Sequence, residues 1–535
     1  MVRIVTFHDS STITYTYDAG DRITQLVDSA NGTITRQYDN LDRLTQEATP
    51  QGTTTYTYDA DGRRATMTVA GQTAVSYSYD NAHRLTSITQ GSSTISLTYD
   101  NANRRSTLTF PNAIVATSEY DNVNRLTSLT YALSGNTLGD LTYTYDTAGN
   151  RTSVGGSWAR TGLPTALASA TYDAANRIAT WGSTSVSYDL NGNLANDGLT
   201  TYTWNVRDQL TGLSGGASAS FQYDGVGRRR GKTISGITTN FLYDGLNLVQ
   251  ELTGGGTPSA NLLTGLGIDE AFTRTDAGGT STLLTDALGS TLALTDGSGT
   301  VQTSYTYDPF GATSVSGATS TNAAQFTGRE NDGAGLYYYR ARFYSAELQR
   351  FTGEDPLGLT AGLNLFAYAG DAPTVFVDPL GLKPSPNPGQ PPRRPRPRPG
   401  NRPGGNGPDP GNGPEPKPPN PNDPKDPDRN PRQKDPCKPY WNRVWDDFSL
   451  TNRLPGLMVP TGLNLGLRSS EAVGGSLGLR TIGQLVSGEG LGGLLSVDNL
   501  LELGLTHGAT AITSGLAFET GVGAGSMLRA LFECQ

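Results

Sequence analysis

Residues 12–26 read TITYTYDAGDRITQL, and this stretch decides the fold of most of the 535-residue chain. Thr12 to Tyr17 alternate β-branched and aromatic side chains with a period of two, which is typical of a half-buried strand. Asp18 to Asp21 have turn chemistry, because an Asp side chain bonds its own backbone and Gly adopts positive φ. The alternation resumes from Arg22 to Leu26 as a returning strand. The stretch therefore predicts one β-hairpin.

This hairpin unit is repeated along the chain. The dipeptide Tyr-Asp recurs every 20 or 21 residues at first and then less regularly, with its tyrosines at Tyr17, Tyr38, Tyr58, Tyr79, Tyr99, Tyr120, Tyr145, Tyr172, Tyr188, Tyr223 and Tyr243. An Arg usually follows four residues after the Asp, at Arg22, Arg43, Arg63, Arg84, Arg104, Arg125, Arg177 and Arg228. Because an isolated hairpin is not stable in water, we expect successive units to pair edge to edge into one continuous antiparallel sheet.

The repeated residues have two interpretations. In the first, Asp and Arg pair across each turn and Tyr packs on its neighbour, so that the motif is a structural clamp. In the second, the tyrosines form a repeated aromatic ledge on which sugars stack. Repetition favours the first interpretation, because a catalytic or binding site is rarely needed a dozen times.

Composition separates the chain into parts and excludes several classes of protein. Twenty-one of the 31 prolines lie in residues 383–439, which predicts an extended, disordered linker. The net charge of −9 argues against a nucleic-acid partner. The sequence contains no run of about 18 apolar residues, so we predict no transmembrane segment. Residues 1–8 lack the pattern of a signal peptide. With three histidines, and with both cysteines (Cys437 and Cys534) after residue 383, we expect no metal site and no cofactor.

A second ordered set of motifs follows residue 284. It comprises TDALGS at 285–290, YDPFG at 307–311, FTGRE at 326–330, GLYYYRARFY at 335–344, and DPLGL at both 355–359 and 378–382. This string resembles the Rhs repeat-associated core domain. The 20-residue period across residues 10–382 resembles the YD repeats of the Rhs, teneurin and toxin-complex C-component superfamily.

The resemblance implies an all-β fold, in which a spiral of YD-repeat hairpins forms a hollow β-shell around a C-terminal segment. Full shells of the family are longer, so we expect a partial shell from a short or truncated member. The implied domains are the YD-repeat shell (1–283), the core domain (284–382), the disordered linker (383–439) and a small, helical variable domain (440–535). The implied partners are the chain's own C-terminal segment, a cap or upstream domain, and an immunity protein. The implied location is secreted or cell-surface.

The end of the core domain is the predicted reactive site. Many family members cut their own chain just after D-P-x-G-L, which places the bond here between Leu382 and Lys383. Such a cut is of the aspartic-protease type, in which two close carboxylates share a proton; one activates water and the other protonates the carbonyl. The matching residues are Asp355 and Asp378, with Asp371 in reserve. Alternatively, both Asp-Pro segments are turns that anchor the end of the shell.

Some neighbouring residues qualify this prediction. Toxin-complex relatives have an Arg just before the first aspartate, whereas this chain has Glu354, so cleavage would need another cation such as Arg350. Tyr337-Tyr338-Tyr339 are expected to pack in the core. His8 and His83 are expected to be incidental surface residues.

The tail offers few chemical signals. Trp441 and Trp445 lie four residues apart, which suits one helical face, and the Gly-interrupted Leu runs after Arg468 predict short helices. Cys437 and Cys534 could pair if the chain is exported. In the family the segment in this position is often a toxin, but no residue here names an activity.

The leading hypothesis is therefore a β-shell carrier that encloses or presents its C-terminal segment and cuts itself after Leu382. A second hypothesis is an uncleaved surface or secreted repeat protein that binds glycans or neighbouring cells. A third is a truncated fragment without independent activity.

Overall fold

The first long sheet contains the YD repeats seen most clearly in the sequence. In the computed structural model, which describes residues 1–386, its fifteen strands follow one another in chain order. They are β1 (Val2–Thr6), β2 (Thr12–Tyr17), β3 (Ile23–Asp28), β4 (Gly32–Tyr38), β5 (Leu44–Thr49), β6 (Gly52–Tyr58), β7 (Arg64–Val69), β8 (Val75–Tyr79), β9 (Leu85–Gln90), β10 (Ser93–Tyr99), β11 (Arg105–Thr109), β12 (Ile114–Tyr120), β13 (Leu126–Leu133), β14 (Asn136–Tyr145) and β15 (Arg151–Gly155). Each pairs antiparallel with the next, as the hairpin repeat predicts.

A second long sheet of fourteen strands follows a small three-stranded sheet. The small sheet contains β16 (Ala170–Tyr172), β17 (Ile178–Trp181) and β18 (Thr184–Ser185). The second long sheet contains β19 (Ser187–Tyr188), β20 (Leu194–Asn196), β21 (Thr200–Trp204), β22 (Leu210–Gly215), β23 (Ala219–Tyr223), β24 (Arg229–Ile234), β25 (Ile237–Asp244), β26 (Asn247–Thr253), β27 (Pro258–Thr264), β28 (Ala271–Asp276), β29 (Gly279–Thr285), β30 (Thr291–Thr295), β31 (Val301–Tyr307) and β32 (Thr313–Gly317).

The remaining described elements are short. They are a 3-10 turn at Phe326–Gly328, strands β33 (Glu330–Asn331), β34 (Leu336–Tyr339), β35 (Arg342–Ser345) and β36 (Arg350–Phe351), 3-10 turns at Gly358–Thr360 and Ala369–Asp371, and the paired strands β37 (Phe376–Val377) and β38 (Ser385–Pro386). The predictions for the linker and the tail fall beyond the described residues, apart from the first four positions of the linker.

The expectation of one continuous sheet was wrong, because the strand order breaks after β15. There the chain folds back on β14: the Ser157 hydroxyl donates to Asp140 Oδ1 at 2.7 Å, and Trp158 N donates to the Asp140 carbonyl at 3.1 Å. The Trp158 ring occupies the space above Gly139, where an added Cβ would lie 2.0 Å from the ring. Pro164, which has no N–H to donate to a ladder, follows in the same connection. Pairing therefore stops and restarts at β16.

A bulge shapes each YD turn. The register between β4 and β5 shifts between Gln37 and Tyr38, so that Tyr38 pairs with Leu44. The same shift precedes Tyr17, Tyr58, Tyr79 and Tyr99. A bulge adds one residue and increases local twist. It brings the Asp39 N–H to the Arg43 carbonyl at 3.0 Å and closes the turn.

The two long sheets meet through buried ion pairs. Val226, in a turn of the second sheet, lies in one buried cluster with Ile13, Leu26 and Ile34 of the first. Arg207 bonds Asp28 at 2.5 Å, Arg228 bonds Glu47 at 2.8 Å, and Arg64 bonds Asp244. All six side chains are buried. Because each charge has a partner, burial of these pairs is tolerated, and they tie the two sheets together.

The Tyr-rich segment joins two hydrophobic clusters. Tyr337 and Tyr339 belong to a cluster that includes residues of both long sheets, whereas Leu336 and Tyr338 belong to a cluster under the start of the second sheet. Successive side chains of a strand point to opposite faces, so β34 is covered on both sides. The three tyrosines are at most 2% exposed, which confirms the prediction that they pack in the core.

Candidate functional site

The repeated Asp, Arg and Tyr form a continuous structural ladder. At the second repeat, Asp39 Oδ2 accepts from Arg43 Nε at 2.7 Å, and Asp39 Oδ1 accepts from the backbone N–H of Arg43 at 3.0 Å. The Arg43 guanidinium lies 4.5 Å from the centroid of the Tyr58 ring, in the next repeat. The Tyr58 hydroxyl donates to the Leu44 carbonyl at 2.7 Å. In each repeat, Asp and Arg thus pair across their own turn, and the Arg stacks on the Tyr of the next repeat.

The same stacking recurs along the first long sheet. The guanidinium lies 4.6–4.9 Å from the ring in the pairs Arg22–Tyr38, Arg63–Tyr79, Arg84–Tyr99, Arg104–Tyr120 and Arg125–Tyr145. The predicted pairing of Asp and Arg across each turn is confirmed. One face of each of these rings is covered by arginine, so the geometry favours the clamp and gives the sugar-stacking interpretation no support.

The two predicted catalytic aspartates lie together at one buried arginine. Arg342 Nη2 lies 2.7 Å from Asp355 Oδ2 and 3.6 Å from Asp378 Oδ2. Arg342 also donates through Nη1 to the Leu365 carbonyl at 2.8 Å, and its guanidinium stacks 3.6 Å from the Phe351 ring centroid. All three charged side chains are buried. Two acidic groups and one cation therefore share a site sheltered from water.

Asp378 also binds the backbone at the predicted cleavage position. Its Oδ1 accepts from the Leu382 N–H at 2.9 Å and from the Lys383 N–H at 3.0 Å. The Lys383 nitrogen is the amide nitrogen of the predicted scissile bond. The bond lies in the loop between the paired strands β37 and β38. Leu382 is partly buried and Lys383 is exposed.

Burial controls the charge state of this group. Removal from water raises the pKa of Asp355 to about 6, although Arg342 and the Leu357 N–H oppose the rise. Burial likewise raises the pKa of Asp378 against Arg342 and the amides of residues 381–383. Burial lowers the pKa of Arg342, although both carboxylates favour its charged form. Carboxyl groups with raised pKa values can exchange protons near neutral pH.

The other candidate residues lie elsewhere. Asp371 is exposed on a 3-10 turn, away from the Arg342 contacts. The Glu354 carboxylate lies against Gly192, where an added Cβ would come within 2.3 Å of Oε1. The Arg350 guanidinium lies 5.2 Å from the Tyr172 ring centroid. The cation beside the aspartates is therefore Arg342 and not Arg350.

Sequence reasoning missed Arg342 as a member of the site. A signal was present in the sequence, because Arg340 and Arg342 interrupt a run of aromatic residues that is expected to be buried. A buried arginine needs an anionic or carbonyl partner. That rule would have marked both arginines as functional or structural anchors without indicating which acids they meet.

Within residues 1–386, no cluster of three or more His, Cys, Asp or Glu side chains is arranged to hold a metal ion. The same residues include no helix with the length and hydrophobicity needed to span a membrane.

Comparisons with known proteins agree with the architecture. The family model described as Teneurin YD-shell matches residues 1–109 and 112–357. The crystal structure of TcdB2-TccC3 superposes with a TM-score of 0.51 and 18% identity, covering 70% of this chain and 26% of that chain. At that identity the likeness shows the fold alone: all-β, with long antiparallel sheets.

Two curated relatives share parts of the sequence. The tRNA3(Ser)-specific nuclease WapA of Bacillus spizizenii is 29% identical over 45% of this chain and 11% of the relative. The toxin subunit YenC1 of Yersinia entomophaga is 39% identical over 16% of this chain and 10% of the relative. This chain thus spans about a tenth of each relative. One relative is a nuclease and the other a toxin subunit.

Proposed function

This chain belongs to the Teneurin YD-shell family, and on that basis we propose that residues 1–382 are a shell-type carrier for the residues that follow. The two long sheets, joined by buried ion pairs, would provide the wall. Composition changes directly after Leu382, where the proline-rich segment begins. In this proposal residues 383–535 are the cargo. The shell residues do not determine the activity or the target of that cargo.

We further propose that the carrier releases its cargo by cutting the bond between Leu382 and Lys383. One observation carries this proposal: Asp378 bonds the amides on both sides of Leu382 and shares Arg342 with Asp355. A carboxyl group is thereby held against the nitrogen that must leave, and a second carboxyl lies beside it.

The chemistry divides between the two acids. Asp355, which is closer to Arg342, accepts a proton from a water molecule as the water oxygen adds to the Leu382 carbonyl carbon. Asp378, whose pKa is raised by burial, gives its proton to the Lys383 nitrogen as the carbon–nitrogen bond breaks. The products are a carboxyl group at Leu382 and an amine at Lys383. One proton enters the pair and one leaves, so the dyad ends with the same charge.

Intact mass measurement of the purified 56.5 kDa chain tests the cut. The wild type should yield two fragments, one ending at Leu382 and one beginning at Lys383, at a rate independent of protein concentration. Asp355→Asn and Asp378→Asn should remain intact. Asp371→Asn is the matched control and should be cut like the wild type. An intact wild type, or a cut that survives both substitutions, contradicts the mechanism.

Carriage is tested separately on the cut protein. If the shell retains its cargo, the two fragments should elute together from a sizing column under native conditions and separate only in denaturant. Independent elution under native conditions would contradict the carrier proposal while leaving the cleavage chemistry intact.

A further inference from the structure

We propose that the turn formed by Tyr339, Arg340, Ala341 and Arg342 is a backbone clamp that fixes the loop ahead of the scissile bond. In this role Arg340 is a positioning residue, acting through the Pro379 carbonyl. This inference rests on the proposed self-cleavage and adds to it a determinant outside the pair of aspartates.

Three successive residues of the turn bind three successive carbonyls of the loop. Arg340 Nη1 donates to the Pro379 carbonyl, the Ala341 N–H donates to the Leu380 carbonyl at 3.1 Å, and Arg342 Nε donates to the Gly381 carbonyl at 2.5 Å. The next two amides, of Leu382 and Lys383, donate to Asp378. The backbone is thus held at every residue from 379 to 383, up to the bond itself.

Close contact at Gly381 shows how tightly the loop fits. Gly381 has a φ of +67°, and a Cβ there would lie 2.4 Å from the Tyr339 carbonyl oxygen. A side chain at this position would both strain the backbone and push the loop off the turn. The turn and the loop are therefore complementary surfaces.

Arg340 is itself held from behind. Its Nη2 lies 2.6 Å from Asp269 Oδ1 and its Nη1 lies 3.1 Å from Asp269 Oδ2, while Nη2 also donates to the Leu246 carbonyl at 3.0 Å. Only 6% of Arg340 is exposed. Asp269 and Leu246 lie next to strands of the second long sheet. Arg340 therefore links that sheet directly to the Pro379 carbonyl. A residue braced in this way can orient the loop with little freedom.

Orientation of this kind affects rate more than binding, since the loop is already part of the chain. A displacement of about 1 Å can lower the rate of an oriented reaction by up to a hundredfold. We therefore expect Arg340→Met to slow the cut by about ten- to a hundredfold. Arg340→Lys keeps the charge but has a single donor nitrogen in place of the forked guanidinium, and should recover part of the lost rate.

The experiment measures cleavage rate and local hydrogen exchange in the full chain. Arg274→Met is the matched control, because Arg274 is also 6% exposed but pairs with Glu251 and Asp276 of the second long sheet and not with a carbonyl of the loop. Exchange is measured in the uncleavable Asp355→Asn background. Arg340→Met removes a hydrogen bond to the loop and should speed exchange of the Leu382 and Lys383 amides by about tenfold, whereas Arg274→Met should not.

The outcomes separate the clamp from the cleavage proposal. A slow cut and fast local exchange in Arg340→Met, with rescue by Arg340→Lys, support the clamp. Equal cleavage rates in Arg340→Met and Arg274→Met overturn it, as does unchanged exchange at residues 382 and 383. If the wild type is never cut, the proposed function fails, and the exchange measurement alone decides whether Arg340 holds the loop.

Discussion

Loss of a single guanidinium from the ladder tests whether the repeat is a mechanical clamp. Arg43 makes two contacts that Arg43→Met removes: the ion pair with Asp39 and the stack on Tyr58. Methionine keeps an unbranched apolar side chain in place, so packing of the stem changes little. The substitution therefore removes the charged contacts of one repeat and keeps the packing of its side-chain stem.

The magnitude follows from partial exposure. The Arg43 and Asp39 side chains are 23% and 24% exposed, and ion pairs in such settings contribute about 0.5–1 kcal/mol. A guanidinium over a tyrosine ring contributes about 0.5–1 kcal/mol. We expect Arg43→Met to lower the free energy of opening of strands β4–β6 by about 1–2 kcal/mol, with little change in distant strands, because neighbouring repeats carry most of each other's contacts.

Native-state hydrogen exchange measures this local free energy strand by strand. Tyr58→Leu and the double variant complete a cycle, and the coupling between Arg43 and Tyr58 should be about 0.5–1 kcal/mol. Arg160→Met, which removes an exposed arginine, controls for net charge. A coupling below about 0.3 kcal/mol, or an equal effect of Arg160→Met, would refute a stabilising role for the repeated Asp–Arg–Tyr contacts.

Three other outcomes follow from buried groups. Because burial raises the pKa of Asp355 to about 6, its contribution to stability is fully present below about pH 4 and is lost as pH rises through 6; urea unfolding should show a loss on the order of 3 kcal/mol that Asp355→Asn removes. Gly381→Ala should cost about 1–3 kcal/mol more in the same assay than Gly358→Ala, because a Cβ at Gly358 meets nothing within 4 Å. Arg229→Met should cost about 3–5 kcal/mol, because it removes the cation that pairs with the buried Glu330 and leaves Asp332 with Lys232 alone; adding Glu330→Gln should recover part of this loss.

Local chemistry explains why so much of the fold was predictable. The alternation in residues 12–17 and the turn at Asp18 to Asp21 lie within one hairpin, so neighbouring residues determine them. The pairing of Asp39 with Arg43 likewise spans four residues. The stacking of Arg43 on Tyr58 lies between repeats, and only its general sense, Tyr packing on a neighbour, was predicted.

Contacts between distant segments explain what was not predictable. Arg342 reaches Asp355 and Asp378 across 13 and 36 positions, and no periodic pattern joins these residues. The break after β15 depends on Trp158 packing over Gly139, a contact that the repeat itself does not specify. The family resemblance pointed to the two aspartates, whereas the identity of the cation beside them, Arg342, depends on how distant segments fold together.

Both long sheets repeat a similar hairpin, so they could pack against each other displaced by one hairpin. The charges of the three ion pairs between the sheets prevent this misalignment. Asp28, Glu47 and Arg64 lie on successive hairpins of the first sheet and face Arg207, Arg228 and Asp244 of the second. A slip by one hairpin in one direction would set Glu47 against Asp244, and a slip in the other direction would set Arg64 against Arg228. Either misalignment buries two like charges. The first sheet contributes the acid in two of the pairs and the arginine in the third, and this reversal permits only one alignment of the two sheets.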